Sequence, residues 1–72
     1  MRKFENVANK VNAIKDVFND GERLRGKDIV RRLEDVGYRV NERNILMFIY
    51  HRMLYKHVRR EVTNGINVYT LL

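Results

Sequence analysis

The sequence predicts a small α+β domain: three helices followed by a C-terminal two-stranded hairpin, all within a single domain over residues 1–72. Three observations predict it. The chain has 72 residues, which is room for one domain and no second. Its apolar residues recur at spacings of three and four in successive stretches bounded by glycine or asparagine. Near the C-terminus an Asn-Gly pair separates two short runs rich in β-branched residues. A content of 44% apolar and 33% charged residues places the chain among soluble globular domains rather than disordered ones. It has no cysteine, so neither disulfides nor zinc–thiolate sites reinforce a core that is marginal at this size.

The first helix is expected over residues 4–19. Phe4, Val7, Val11, Ile14 and Phe18 form one apolar stripe, widened by Ala8 and Val17. Asn19-Asp20-Gly21 ends it, with Gly21 suited to the left-handed position after a helix. The connection Glu22-Arg23-Leu24-Arg25 has one apolar residue between charged ones, and a very short third strand near Leu24 is one reading of it. The second helix is expected over residues 27–36, with Gly26 as N-cap and Asp28 in the first turn, where the helix dipole favours an anion. Ile29, Val30, Leu33 and Val36 supply its apolar face, and Gly37 closes it.

Tyr38-Arg39-Val40 makes a turn, and Asn41 caps a third helix expected over residues 42–57. The apolar run at residues 45–50 also suits a buried strand. The length free of Gly and Pro, together with the cap, favours a helix. The hairpin spans residues 58–71. A two-residue Asn-Gly turn would pair Val62 with Asn67 and mix apolar with polar positions. A three-residue loop with Gly65 left-handed pairs Val62 with Ile66, Arg60 with Val68 and Val58 with Thr70. That register is expected, with Val58, Val62, Ile66 and Val68 on one face and Tyr69 and Leu71 on the other.

Charge narrows the function. Fifteen Lys and Arg against nine Asp and Glu give +6, which favours an anionic partner. Ten of those cations are Arg, the side chain suited to bidentate phosphate and guanine contacts. Residues 1–38 carry nine basic and seven acidic groups, whereas residues 39–72 carry six and two. Between Arg43 and Arg60 there is no carboxylate.

The ordered set of elements resembles the winged helix-turn-helix family over roughly residues 4–71. The residues carrying the resemblance are Leu24-Arg25-Gly26-Lys27-Asp28-Ile29-Val30 at the second helix and Gly37-Tyr38-Arg39-Val40-Asn41-Glu42-Arg43 at the turn. A third set, Val58-Arg59-Arg60-Glu61-Val62-Thr63-Asn64-Gly65, stands where the wing would be. In size and style the chain is similar to small regulators of archaea and of their viruses and plasmids. The resemblance implies a double-stranded DNA-binding protein and transcription regulator. Its third helix would lie in the major groove and its wing on the neighbouring backbone or minor groove.

Carried onto this sequence, the resemblance implies that Asn41, Arg43, Asn44, Met47, Tyr50 and His51 of the third helix face the groove. Arg43 suits guanine O6 and N7, Asn44 suits adenine N6 and N7, and Met47 suits a thymine methyl. Arg39, just before the helix, is placed for a phosphate. Arg60, Asn64 and Asn67 on the wing, and Lys27 at the start of the second helix, are candidates for backbone or minor-groove contact. Arg52 and Lys56 fall near the core stripe and are expected to snorkel outward. Met47, Tyr50 and Leu54 make the groove-facing side partly apolar, where the family is mostly polar. A self-association or partner-binding surface therefore competes with a DNA role in the middle of this helix.

Other chemistry has no footing. The chain lacks Ser and Cys, and neither Thr63 nor Thr70 has an evident base, so no catalytic residue and no enzyme activity are expected. His51 and His57 stand on different sides of a helix, so no metal site is expected. The scattered glycines make no phosphate-cradling loop, so no cofactor or small-molecule substrate is expected. The longest apolar run, six residues, is far short of the roughly 20 that cross a bilayer. With no secretory signal at the start, a cytoplasmic location is the default, in the host cytoplasm if the protein is viral or plasmid-encoded. The expected partner is duplex DNA, with a homodimer open. A protein–protein interaction module and, ranked lower, an RNA-binding winged helix are the alternatives.

Overall fold

The computed structural model describes residues 3–72. It contains three helices and a three-stranded antiparallel sheet, an α+β arrangement. The elements are α1 (Val7–Asp16), β1 (Arg23–Arg25), α2 (Gly26–Asp35), α3 (Glu42–Phe48) with a π-helical turn directly after it (Ile49–Met53), β2 (Val58–Thr63) and β3 (Ile66–Leu71). The core gathers Ile14 and Phe18, Leu24, Ile29 and Leu33, Tyr38, then Ile45, Ile49 and Met53, with Val58 and Tyr69 from the sheet.

The first helix is shorter than its stripe suggests. Asn6 is extended and caps it, its side-chain oxygen accepting from the Asn9 N–H at 2.7 Å. The Asn9 side chain in turn accepts from the Glu5 N–H at 3.0 Å. This reciprocal cap starts the helix at Val7, so Phe4 lies outside it and stacks on Tyr38, ring centroids 4.5 Å apart. Val7, expected inward, is half exposed, while Ile14 and Phe18 are buried.

In the second helix Arg25, not Gly26, holds the N-cap position, and Gly26 is the first helical residue. A Cβ on Gly26 would stand 2.5 Å from Leu46 Cδ2. The glycine is there because α2 begins hard against α3. Ile29 and Leu33 are buried as expected, but Val36 lies past the last helical residue and is half exposed. Arg32 of this helix makes a two-pronged ion pair with Glu22, one prong at 2.8 Å, and also donates to the Val17 carbonyl. That pair fastens the α1–β1 connection onto α2. It also holds the Glu22 carboxyl down at about 2.

The third helix ends at Met53, short of the expected residue 57. Its last turn is π-wound, with the Leu54 N–H reaching the Ile49 carbonyl at 2.8 Å. Leu54 then turns extended and Tyr55 adopts φ +64°. No local breaker causes this. Val58 is fully buried and pairs with Leu71, and entering the sheet there forces the chain to leave the helix by Met53. The predicted core stripe of Ile45, Ile49 and Met53 is buried throughout.

The sheet has three strands, in the order β1-β3-β2, rather than a hairpin alone. The short strand near Leu24 is present: Leu24 pairs with Tyr69. The hairpin register differs from expectation. Thr63 pairs with Ile66, Val62 with Asn67, Arg60 with Tyr69 and Val58 with Leu71, around a two-residue Asn64-Gly65 turn. Both turn residues have positive φ, +52° and +77°, the type I′ geometry that Asn-Gly favours. The mixing of polar and apolar positions in this register costs little, because Val62 is 67% exposed and the hairpin tip stands clear of the core. Leu24, Tyr69, Val58 and Leu71 therefore share the core face, and Val68 and Ile66 lie on the other.

Candidate nucleic-acid interface

The exposed stripe of α3 is the centre of the candidate site. Asn41 caps the helix, its side-chain oxygen accepting from the Asn44 N–H at 3.2 Å, which fixes where the first turn begins. Arg43, Asn44, Met47, Tyr50 and His51 are all exposed. Asn41, Arg43 and Met47 share one open cleft of about 490 Å³ with Glu42 and Leu46. His51 meets the Tyr50 ring edge-on, centroids 5.2 Å apart.

The hairpin stands beside this stripe. The guanidinium of Arg60 lies over the Tyr50 ring, 5.9 Å from its centroid. Lys27 and Asn67 line a second cleft, of about 290 Å³, with Leu46 and Ile66. Asn64 sits at the exposed tip. The structure thus brings Lys27 next to Asn67, and Tyr50 next to Arg60. Arg39 does not join them. It lines a separate cleft between the start of α1 and α3.

Electrostatics separates free cations from tied ones. Arg23 and Arg59 both pair with Glu61, at 2.7 and 3.0 Å, on the sheet face away from the core. Arg25 pairs with Asp28, whose carboxyl is lowered chiefly by hydrogen bonding to that Arg25 side chain. Among the described residues, Lys27, Arg39, Arg43, Arg52 and Arg60 have no carboxylate partner. Their charge is available to an anion. Burial raises the hydroxyl pKa of Tyr69, the residue paired with Arg60, so it stays neutral beneath that cation.

Arg52, expected near the core stripe and turned outward, is exposed and lines the same cleft as Arg39, beside Phe48. Phe48 and Arg52 are four residues apart and so share one side of the helix. Lys10 also reaches this cleft, its ammonium 4.5 Å from the Phe48 ring centroid. In the sequence it reads only as part of the wet face of the first helix.

Among the described residues no group of three or more His, Asp or Glu stands ready to hold a metal ion, and no helix is long and apolar enough to cross a membrane. Compared with models of known protein families, with curated proteins and with solved structures, the chain matches none.

Proposed function

We propose that the chain is a sequence-specific double-stranded DNA-binding protein of the winged helix-turn-helix type, acting as a transcription regulator. The observation that carries this reading is the exposed stripe of α3, in a stretch from Arg43 to Arg60 that holds no carboxylate, with the hairpin beside it. Arg43 and Asn44 serve as base readers at the start of the helix, with Met47 against a thymine methyl. Lys27, Arg39, Arg60, Asn64 and Asn67 serve the backbone or minor groove. Selection of bound duplexes from a random pool, followed by sequencing, tests it. A recovered motif that the purified protein binds more tightly than scrambled duplexes is the expected result. A palindromic motif would add a two-fold dimer. Recovery of no motif, with equal affinity for all duplexes, would remove sequence specificity.

A second reading has its own support. Met47 and Tyr50 are 51% and 59% exposed in the middle of the same stripe, an apolar area of the kind that marks protein contacts. In that case the chain is a protein–protein module and its charge serves solubility. A duplex titration between 50 and 200 mM salt without saturable binding would favour this reading over the first.

A further inference from the structure

The cleft between the start of α1 and α3 lies outside the helix-and-hairpin surface just described. It measures about 520 Å³. Among the described residues, four cations line it, Lys3, Lys10, Arg39 and Arg52, around a floor that includes Phe4 and Phe48, and no carboxylate does. Lys10 is held in place by the rings themselves, its ammonium 5.4 Å from the Phe4 centroid and 4.5 Å from that of Phe48. Contacts of that kind fix a charge without neutralising it. Lys3, Arg39 and Arg52 have no ion-pair partner among the described residues. Like charges gathered without a counter-ion raise the free energy of the empty protein, and an anion that enters relieves it.

The position of the cleft indicates which anion. Phe48 and Arg52 lie on one side of the third helix, whereas Leu46 and Tyr50 lie on the side that meets the hairpin. The exposed stripe of Arg43 and Met47 runs between two basic flanks, with Lys27 and Arg60 on one side and the cleft on the other. A ligand matching that layout carries negative charge on both sides of a groove. The mixed lining fits the same ligand, since cations meet phosphates while the aromatic floor meets the apolar faces of deoxyribose.

We infer that this cleft binds the sugar–phosphate backbone of duplex DNA on the side of α3 away from the hairpin, with Lys3, Lys10, Arg39 and Arg52 as phosphate contacts. The inference rests on the DNA-binding reading above.

The test is the salt dependence of duplex affinity from 50 to 200 mM, measured on a selected and on a random duplex. The double variant Lys10→Met, Arg52→Met keeps the alkyl chains and removes two charges. Arg31→Met removes an exposed cation of α2 that lines none of the three clefts of the proposed interface and serves as control. Removing one phosphate-binding cation lowers the log–log slope by about 0.9 and weakens binding roughly five- to tenfold near 0.1 M salt. The double variant removes two such cations, so its slope should fall by about 1.8, equally on both duplexes and with base preference intact, and the control should not change. Hydroxyl-radical footprinting should show one protected backbone segment disappearing. If the double variant, folded by circular dichroism, keeps the slope and footprint of the control, the inference is wrong and the DNA reading stands. If the wild-type protein binds no duplex, both fall. Should the double variant unfold, Arg52→Met alone, a change to one exposed side chain, decides by the same slope.

Discussion

Arg60 of β2 lies over the ring of Tyr50 in the π turn, 5.9 Å from its centroid, and is a contact between the hairpin and the exposed side of the third helix. The hairpin beyond Arg60 and Tyr69 has no core beneath it, since Val62 and Ile66 are 67% and 48% exposed. An exposed cation–π contact contributes about 0.5–1 kcal/mol. Tyr50→Leu should therefore speed amide exchange in β2 and β3 by roughly two- to fivefold while leaving α1 and α2 unchanged. Unaltered exchange in the strands would show that the ring does not hold the hairpin.

Arg43 stands exposed in the first turn of α3 without a carboxylate partner. If it reads a base, Arg43→Ala weakens the selected duplex by about 1–3 kcal/mol and random duplexes by little. An equal drop on both duplexes would make it a phosphate contact instead.

The Asn64-Gly65 turn places a residue other than glycine at φ +52°. Ala lacks the local hydrogen bonding that lets Asn occupy this region, so Asn64→Ala should cost about 1 kcal/mol in urea unfolding, whereas Asn64→Gly should cost almost nothing. Equal stability of the two variants would speak against the two-residue turn.

Gly26 and Leu46 form a second testable pair. In Gly26→Ala the new methyl overlaps Leu46 Cδ2, the movable end of a side chain, so the cost is that of shifting one rotamer, about 1 kcal/mol. With Leu46→Ala already present the overlap is gone, and the same change should gain up to about 0.5–1 kcal/mol from the stiffer unfolded chain. A double-mutant cycle in urea reads the change of sign. Additive effects would mean that the two residues do not compete for space.

Glu22 supplies the pH dependence. Its carboxyl is held at about 2, against an ordinary 4.5, first of all by the hydrogen bond from Arg32. A lowered carboxylate pKa stabilises the fold fully above its unfolded value, and that contribution disappears as pH falls through the folded one. Glu22→Gln should be less stable than the wild type by a constant margin from pH 7 to 5. The margin should shrink below about 4.5 and close near 2. A margin independent of pH would assign the destabilisation to packing.

Legibility in the sequence follows where physical constraints are local. Ile45, Ile49 and Met53 can be read as a core stripe because helical spacing survives even through a π turn. The cap at Asn41 can be read because its partner is three residues away. The end of the third helix cannot, because Leu54 leaves it to satisfy Val58 and the sheet, and nothing between residues 42 and 57 breaks a helix. The hairpin register escapes for the opposite reason. Alternation misleads at Val62 and Asn67, where no core exists to enforce it, and the Asn-Gly turn alone sets the geometry. At the candidate site, Arg43, Met47 and Tyr50 are identifiable from angular position alone. Lys10, Arg52 and their aromatic floor are not, since their meeting depends on how α1 docks against the third helix.

The sheet order leaves β2 at an edge, with no strand along its outer side among the described residues apart from the bridge between Leu54 and Val58. Such an edge offers unpaired backbone groups to any other extended chain, and β2 has neither a proline nor a bulge to blunt it. What it has is Arg59, Arg60 and Glu61 in succession. Two copies approaching edge to edge in antiparallel register about Arg60 would set that guanidinium against its own copy, but Arg59 of each would meet Glu61 of the other, so charge does not bar that register. A slip that sets Arg59 against Arg60 brings two pairs of cations face to face, a repulsion that salt or a polyanion would screen. The charges of this strand therefore select among edge registers rather than closing the edge.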